Sequence, residues 1–208
     1  MREGWTVFPR QAILYTNQPD DPWRTTMDRS HEVEGLLTVA KLMCAAARTA
    51  PKAKGRDLLT TGILEGEPKR KVSAKMREIG EKTKQVFFIR DAANLDAAPA
   101  AVLLGTAMET MGLDFYCGLC GHPSCKATRE SGGTCVFNGH DLGIAVGSAV
   151  SVAAAHHIDC RVMYSLGMAA RDLGLPAPDL RIVIGIPLSV TGKNIFFDRE
   201  NPKRPDES

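Results

Sequence analysis

Residues 117–135 read "CGLCGHPSCKATRESGGTC" and hold four of the six cysteines of the chain. Four thiols at this density support three chemistries: a disulfide knot, a zinc site or an iron–sulfur cluster. Structural zinc usually draws on two matched C-x2-C knuckles. Here a single C-x2-C, Cys117 and Cys120, is followed by C-x4-C to Cys125 and C-x9-C to Cys135, an uneven spacing of the kind cluster-binding loops use. His122 lies inside the loop and keeps zinc open as the second reading. Gly118, Gly121, Gly132 and Gly133 allow backbone N–H groups to turn toward sulfur and offset its negative charge. Cys44 and Cys160 have no cysteine neighbour at ligand spacing and read as core thiols.

The compartment weighs on the same choice. The N-terminal "MREGWTVFPRQAILY" has no uninterrupted apolar stretch and no small-residue cleavage site, so the cytoplasm is the expected location. Thiols there are kept reduced, which puts disulfides last. Net charge is only +2, with acids and bases interleaved, so neither nucleic acid nor an anionic membrane is an expected partner. The chain of 208 residues, 44% hydrophobic, suits one domain with its own core.

The elements that must position the cysteines follow from periodicity. An aromatic, proline-punctuated arm, residues 1–27, carries Trp5, Phe8 and Trp23. From Ser30, Val33, Leu36, Leu37, Ala40, Met43, Cys44 and Ala47 recur at helical steps and predict a core-facing helix ending before Pro51. A strand is expected over 58–64 and an amphipathic helix after Pro68 carrying Val72, Met76 and Ile79. "QVFFIR", 85–90, reads as a buried strand, and Asp96 as the cap of an Ala-rich helix holding Val102, Leu103 and Met108.

After the cysteines, 142–158 carries no Asp, Glu, Lys or Arg before Asp159 and is rich in Gly, Ala and Ser. It is short of the ~20 apolar residues of a spanning helix, so it reads as a central helix approached closely by other backbones, not as a membrane span. "CRVMYSL" is expected to add a strand, a helix to run around Met168 to Leu173, and "LRIVIGIP" to form a core strand closed by Pro187. The tail from Asp198 has a solvated composition. His156 and His157, at the end of the long helix, suit the negative end of its dipole, with a proton-donor role as the alternative.

The stretch from Cys117 to Gly167 resembles a prokaryotic family of proteins containing a ferredoxin domain. That resemblance implies a [4Fe-4S] cluster on Cys117, Cys120, Cys125 and Cys135, and electron transfer with an unidentified donor or acceptor. Most of the chain also resembles a diverged nitroreductase, through Arg29 and Ser30, "APKAKG" from Ala50 to Gly55, the late Gly185 and Pro187, and Lys193. The second resemblance implies an α+β fold, a mixed sheet flanked by helices, with the cysteine insert at 114–138, and a homodimer with FMN near Arg29, Ser30, Lys52, Lys54, Gly185 and Lys193. Lys52 and Gly55 stand where that family commonly keeps serine and asparagine.

Three functions are therefore in view. The first is an iron–sulfur oxidoreductase passing electrons between cluster and FMN. The second is a flavin-free, ferredoxin-like electron carrier, and the third a zinc-stabilised binding protein.

Overall fold

The computed structural model describes residues 29–114 and 116–197. The chain divides into two units, 1–30 and 31–208. The expected arm, 1–27, and the tail from Asp198 lie outside the described residues.

Helix α1, Ser30–Thr49, buries Leu36, Val39, Ala40, Met43 and Ala47, the apolar stripe its sequence spaces at three and four. A single 3-10 turn, Ala53–Gly55, leads to strand β1, Leu59–Leu64. Helices α2, Gly66–Thr83, and α3, Val86–Ala97, form a hairpin whose turn is closed by Lys84 in the left-handed conformation, φ 57°, donating to the Gly80 carbonyl. A Cβ on Gly80 would meet Ile89 Cγ1 at 2.8 Å, so this glycine sets how closely the two helices approach.

The aromatic run at 85–90 is thus helix, not strand. Phe88, Asp91, Ala92 and Leu95 are its buried residues, spaced at three, one and three, and the apolar face continues past the run into 91–97. A short aromatic stretch is ambiguous between the two periods, and here the longer pattern decides. The next segment reverses the other way. Ala100–Thr106 is strand β2, buried along its whole length, and not the Ala-rich helix. Pro99 disfavours a helical Ala98, which is extended at ψ 134°. A strand covered on both faces reads as a continuous apolar run and loses the alternation that would identify it.

Helices α4, Cys125–Glu130, and α5, Val136–Ala155, follow. Strand β3 is only Asp159–Cys160, because Tyr164 already opens α6, Tyr164–Asp172; the strand expected over "CRVMYSL" is reduced to its first residue. Strand β4, Ile182–Ser189, runs through Pro187 instead of ending there. The β3 ladder pairs Cys160 with Leu188, the next bridge pairs Met163 with Gly185, and Pro187 sits in the interval where no ladder donor is needed.

The four-stranded sheet has the order β1-β2-β4-β3 with every pair antiparallel. On one face α1 and α5 pack Ala40, Met43, Ala145 and Ala149 over Val102, Leu104, Ile186 and Leu188. On the other, α2, α3 and α6 cover Ala101, Leu103 and Val183. Helix α6 crosses β4 so closely that a Cβ on Gly167 would lie 1.9 Å from the Val183 carbonyl oxygen. No helix among the described residues is long and apolar enough to cross a membrane.

Candidate functional site

The cysteines occupy the connection from β2 to α5. Its one helical turn and a half, α4, is capped by Ser124, whose Oγ accepts from the Ala127 N–H at 3.0 Å. Asp114 accepts from the Cys125 N–H at the same end. At the other end Gly132, φ 66°, takes the left-handed position, and the Gly133 N–H closes on the Thr128 carbonyl at 2.9 Å, a Schellman arrangement. The glycine there terminates a helix.

Cys117, Cys120 and Cys125 line one cleft together with Asp114, His122 and Ser124. Cys135 is buried, 5% exposed, and occupies the N-cap of α5. The next residue joins the two parts: the Val136 N–H donates to Cys120 Sγ at 3.3 Å. A backbone donor at the positive end of a 20-residue helix is thereby aimed at a sulfur. The expected N–H to sulfur contact exists, and it comes from the helix rather than from the glycines. His122 Nε2 is 3.2 Å from Ser131 Oγ. Among the described residues no three His, Cys, Asp or Glu side chains converge tightly enough to hold a metal ion as they stand.

The remaining thiols behave as core groups. Burial pushes the Cys44 thiol up, with a Thr61 hydrogen bond and the Arg48 charge opposing only in part. Cys160 is pushed up by burial and by Asp159. Both are held away from the thiolate form that ligation needs.

The residues expected around a flavin have the following places in the fold. Lys52 is 7% exposed at its side chain and donates to the carbonyls of Arg48 at 2.6 Å and Ala50 at 2.9 Å, so its ammonium caps the C-terminus of α1. Lys54, φ 55°, reaches the Met111 carbonyl at 3.2 Å. Gly185 lies mid-strand on the opposite sheet face, where a Cβ would meet Leu166 Cδ2 at 2.0 Å, so a helix side chain fills the approach a flavin edge was expected to use. The Lys193 carbonyl accepts from Thr191 Oγ1 at 2.5 Å in the turn after β4. Arg29 and Ser30 belong to the first unit, with Ser30 opening α1.

Sequence reasoning missed a second set of polar groups beside Cys135. Asn138, Arg129 and Arg181 line a cavity of about 150 Å³ with Thr110, Gly133 and Cys135. The signal was there for Asn138: it stands four residues before Leu142, on the face that α5 buries through Ala145, Ala149 and Ala153. The histidines fall where expected, His156 at the C-cap of α5 and His157 in the left-handed position after it, φ 56°.

Comparison with known proteins bears on family and fold. Residues 131–199 match the family described as "Uncharacterized protein containing a ferredoxin domain" (DUF2148), a match that includes Cys135 and begins after the other three loop cysteines. An uncharacterized protein of Archaeoglobus fulgidus is 41% identical over 186 residues, 85% of this chain and 98% of that one. Among solved structures, the FMN-dependent nitroreductase NfnB of Mycobacterium smegmatis, in complex with NADPH, superposes with TM-score 0.54 at 10% identity, covering 81% of this chain and 84% of that one. A Desulfovibrio desulfuricans protein in complex with FMN gives 0.51 at 13% identity over 81% and 79% of the two chains. A nitroreductase-like family protein of Bacillus cereus gives 0.51 at 14% identity over 80% and 79%. With the archaeal relative shared across nearly its whole length, the chain belongs to this ferredoxin-domain family, built on a nitroreductase-like α+β fold.

Proposed function

We propose that the chain is an iron–sulfur redox protein whose loop cysteines, Cys117, Cys120, Cys125 and Cys135, hold a [4Fe-4S] cluster. The observation that carries this is the Val136 N–H on Cys120 Sγ, which ties the three-cysteine cleft to the helix end that bears Cys135. The donor set fits: four thiols, a backbone donor already on one sulfur, and left-handed glycines at 118 and 121 that let the C-x2-C segment turn. Metal-binding loops are commonly completed only on loading, so side chains short of a coordination sphere are consistent with it. When bound, such a cluster supplies one-electron transfer. The chain's part is to present thiolates, to offset their charge with the α5 terminus, and to keep Cys44 and Cys160 protonated in the core.

Within that reading, a flavin-free electron carrier is favoured over a cluster–FMN oxidoreductase. Lys52 spends its ammonium on α1, and Leu166 occupies the space over Gly185. An FMN would have to do without these two residues. The domain organisation proposed is one nitroreductase-like domain with an N-terminal arm and the cysteine insert, working in the cytoplasm. A homodimer is proposed from α5, whose Gly139, Gly143 and Gly147 form an exposed stripe with open space where side chains would project.

Anaerobic purification followed by iron, sulfide, zinc and flavin analysis of one sample tests the proposal. Iron and sulfide in equal amounts, about four each per chain, support it. One zinc without sulfide overturns it, and stoichiometric FMN restores the oxidoreductase. Replacing Cys120 with Ser is expected to remove most of the iron, and replacing Cys44 with Ser to leave it.

A further inference from the structure

Asn138 is 1% exposed, and neither its Nδ2 nor its Oδ1 has a hydrogen-bond partner among the described residues. A buried amide with both atoms unanswered is costly, on the order of 1–3 kcal/mol for each group. It therefore marks a place where something outside the described chain completes the structure.

Asn138 lines two cavities. One, of about 10 Å³ beside Lys52 and Asp141, has room for about a single water. The other, of about 150 Å³, is the one shared with Cys135, Arg129 and Arg181, and it is large enough for a ligand of several heavy atoms.

The charge around the larger cavity is positive. Arg129 commits Nη1 to Thr110 Oγ1 at 2.5 Å, and Arg181 commits Nη1 to the Gly132 carbonyl at 2.7 Å. Each guanidinium has five N–H donors in a planar fork, so these bonds orient it and leave donors for a ligand. The acid in the wall, Glu109, is already paired with Arg56. The N-terminus of α5, which begins at the cavity wall, adds positive potential.

We propose that this cavity binds a small organic carboxylate carrying a hydroxyl beside the carboxyl group, with Arg129 and Arg181 on the carboxylate and Asn138 on the hydroxyl. Guanidinium forks match carboxylate geometry. A hydroxyl both donates and accepts, so it answers whichever amide atom faces the cavity once a water occupies the smaller void. That such a ligand is the redox substrate rests on the iron–sulfur reading; that it binds does not.

The test is calorimetric titration of anaerobically purified full-length protein with glycolate, acetate and inorganic phosphate at low chloride. Glycolate is expected to saturate one site per chain and to bind more tightly than either other anion. Arg129→Gln and Arg181→Gln, both at exposed positions, are each expected to weaken glycolate about tenfold, the loss of one charge-assisted hydrogen bond. Asn138→Leu is expected to erase the preference for glycolate over acetate. No saturable glycolate binding, tighter binding of inorganic phosphate, or unchanged affinity in both arginine variants overturns the proposal. The readout is heat and not electron transfer, so a protein that binds glycolate but holds no iron would fail the cluster reading alone.

Discussion

Two glycine-bearing regions carry residues that the two family resemblances single out, and they differ in what surrounds them. Where α6 crosses β4, Gly167 and Gly185 are packed shut: a Cβ on either would fall within about 2 Å of Val183 or Leu166. In the cysteine loop, Gly118, Gly121 and Gly132 have nothing within 4 Å of a would-be Cβ and φ angles of 67°, 75° and 66°. The first pair is glycine because two elements must touch, and the second set because the backbone must turn left-handed. A glycine in a motif marks a cofactor approach only when the space beside it is empty. By that criterion the loop keeps open space beside its glycines, and the late strand is part of the core.

Gly167→Ala should break the packed region most severely. The new methyl collides with backbone at Val183, which cannot rotate away, so a loss of about 3 kcal/mol or more is expected in urea denaturation. A loss below 1 kcal/mol would mean that α6 can lift from β4 and reopen the space over Gly185. Next in size is Lys52→Ala. It removes the ammonium that caps three carbonyls of α1 and the following turn, and should cost about 2 kcal/mol whether or not FMN is present. Stability unchanged without FMN but lowered in its presence would return Lys52 to a flavin site.

In the loop, Gly121→Ala should cost only about 1 kcal/mol, since the penalty is backbone conformation without a clash. It should, however, lower iron retention, which Lys52→Ala should not. Measuring melting temperature and bound iron together separates the two kinds of glycine.

The smallest effect concerns acid. Burial would raise the Asp57 carboxyl, but the Arg48 guanidinium at 2.6 Å and the Leu59 N–H hold it below the usual carboxylate range. Burial likewise opposes, and Ser73 and Arg77 more than offset, the shift at Asp96, which is also lowered. A depressed carboxylate stabilises the fold above its unfolded value near 4, and that contribution is lost as pH falls through the lower folded value. Asp57→Asn should therefore lower stability slightly near neutrality, by little because the pair is exposed and screened, and the difference from the parent should shrink and vanish as pH falls below about 4. Parallel acid titrations of parent and variant check this.

Periodicity made α1 and α2 legible, because each has one buried stripe against solvent, whereas α5 is legible from its uncharged run of small residues. Periodicity failed at α3 and β2 for different reasons. Helices cover both faces of β2, so that strand has no polar face to set against an apolar one, and propensity favoured a helix for its alanines. Helix α3 has an exposed side, but Val86 and Ile89 stand on it beside Arg90, so the run 85–90 shows no helical stripe and propensity favoured a strand. The cysteines stood out in spacing alone, since four thiols are rare enough to need no periodicity. Arg129 and Arg181 did not, because 52 residues separate them and each looks like an ordinary surface cation.

Sequence by itself determined the thiol set, the apolar length of α5, and the helical stripes of α1 and α2, all of which depend on neighbours within a few turns of chain. Tertiary structure alone decided which polar groups are already spent. Lys52 is consumed by the end of its own preceding helix, Gly185 by Leu166, and Asn138 is left buried with its amide unanswered beside two arginines. Availability for a ligand is a property of what fills the space around a side chain, and that space is bounded by segments distant in the chain.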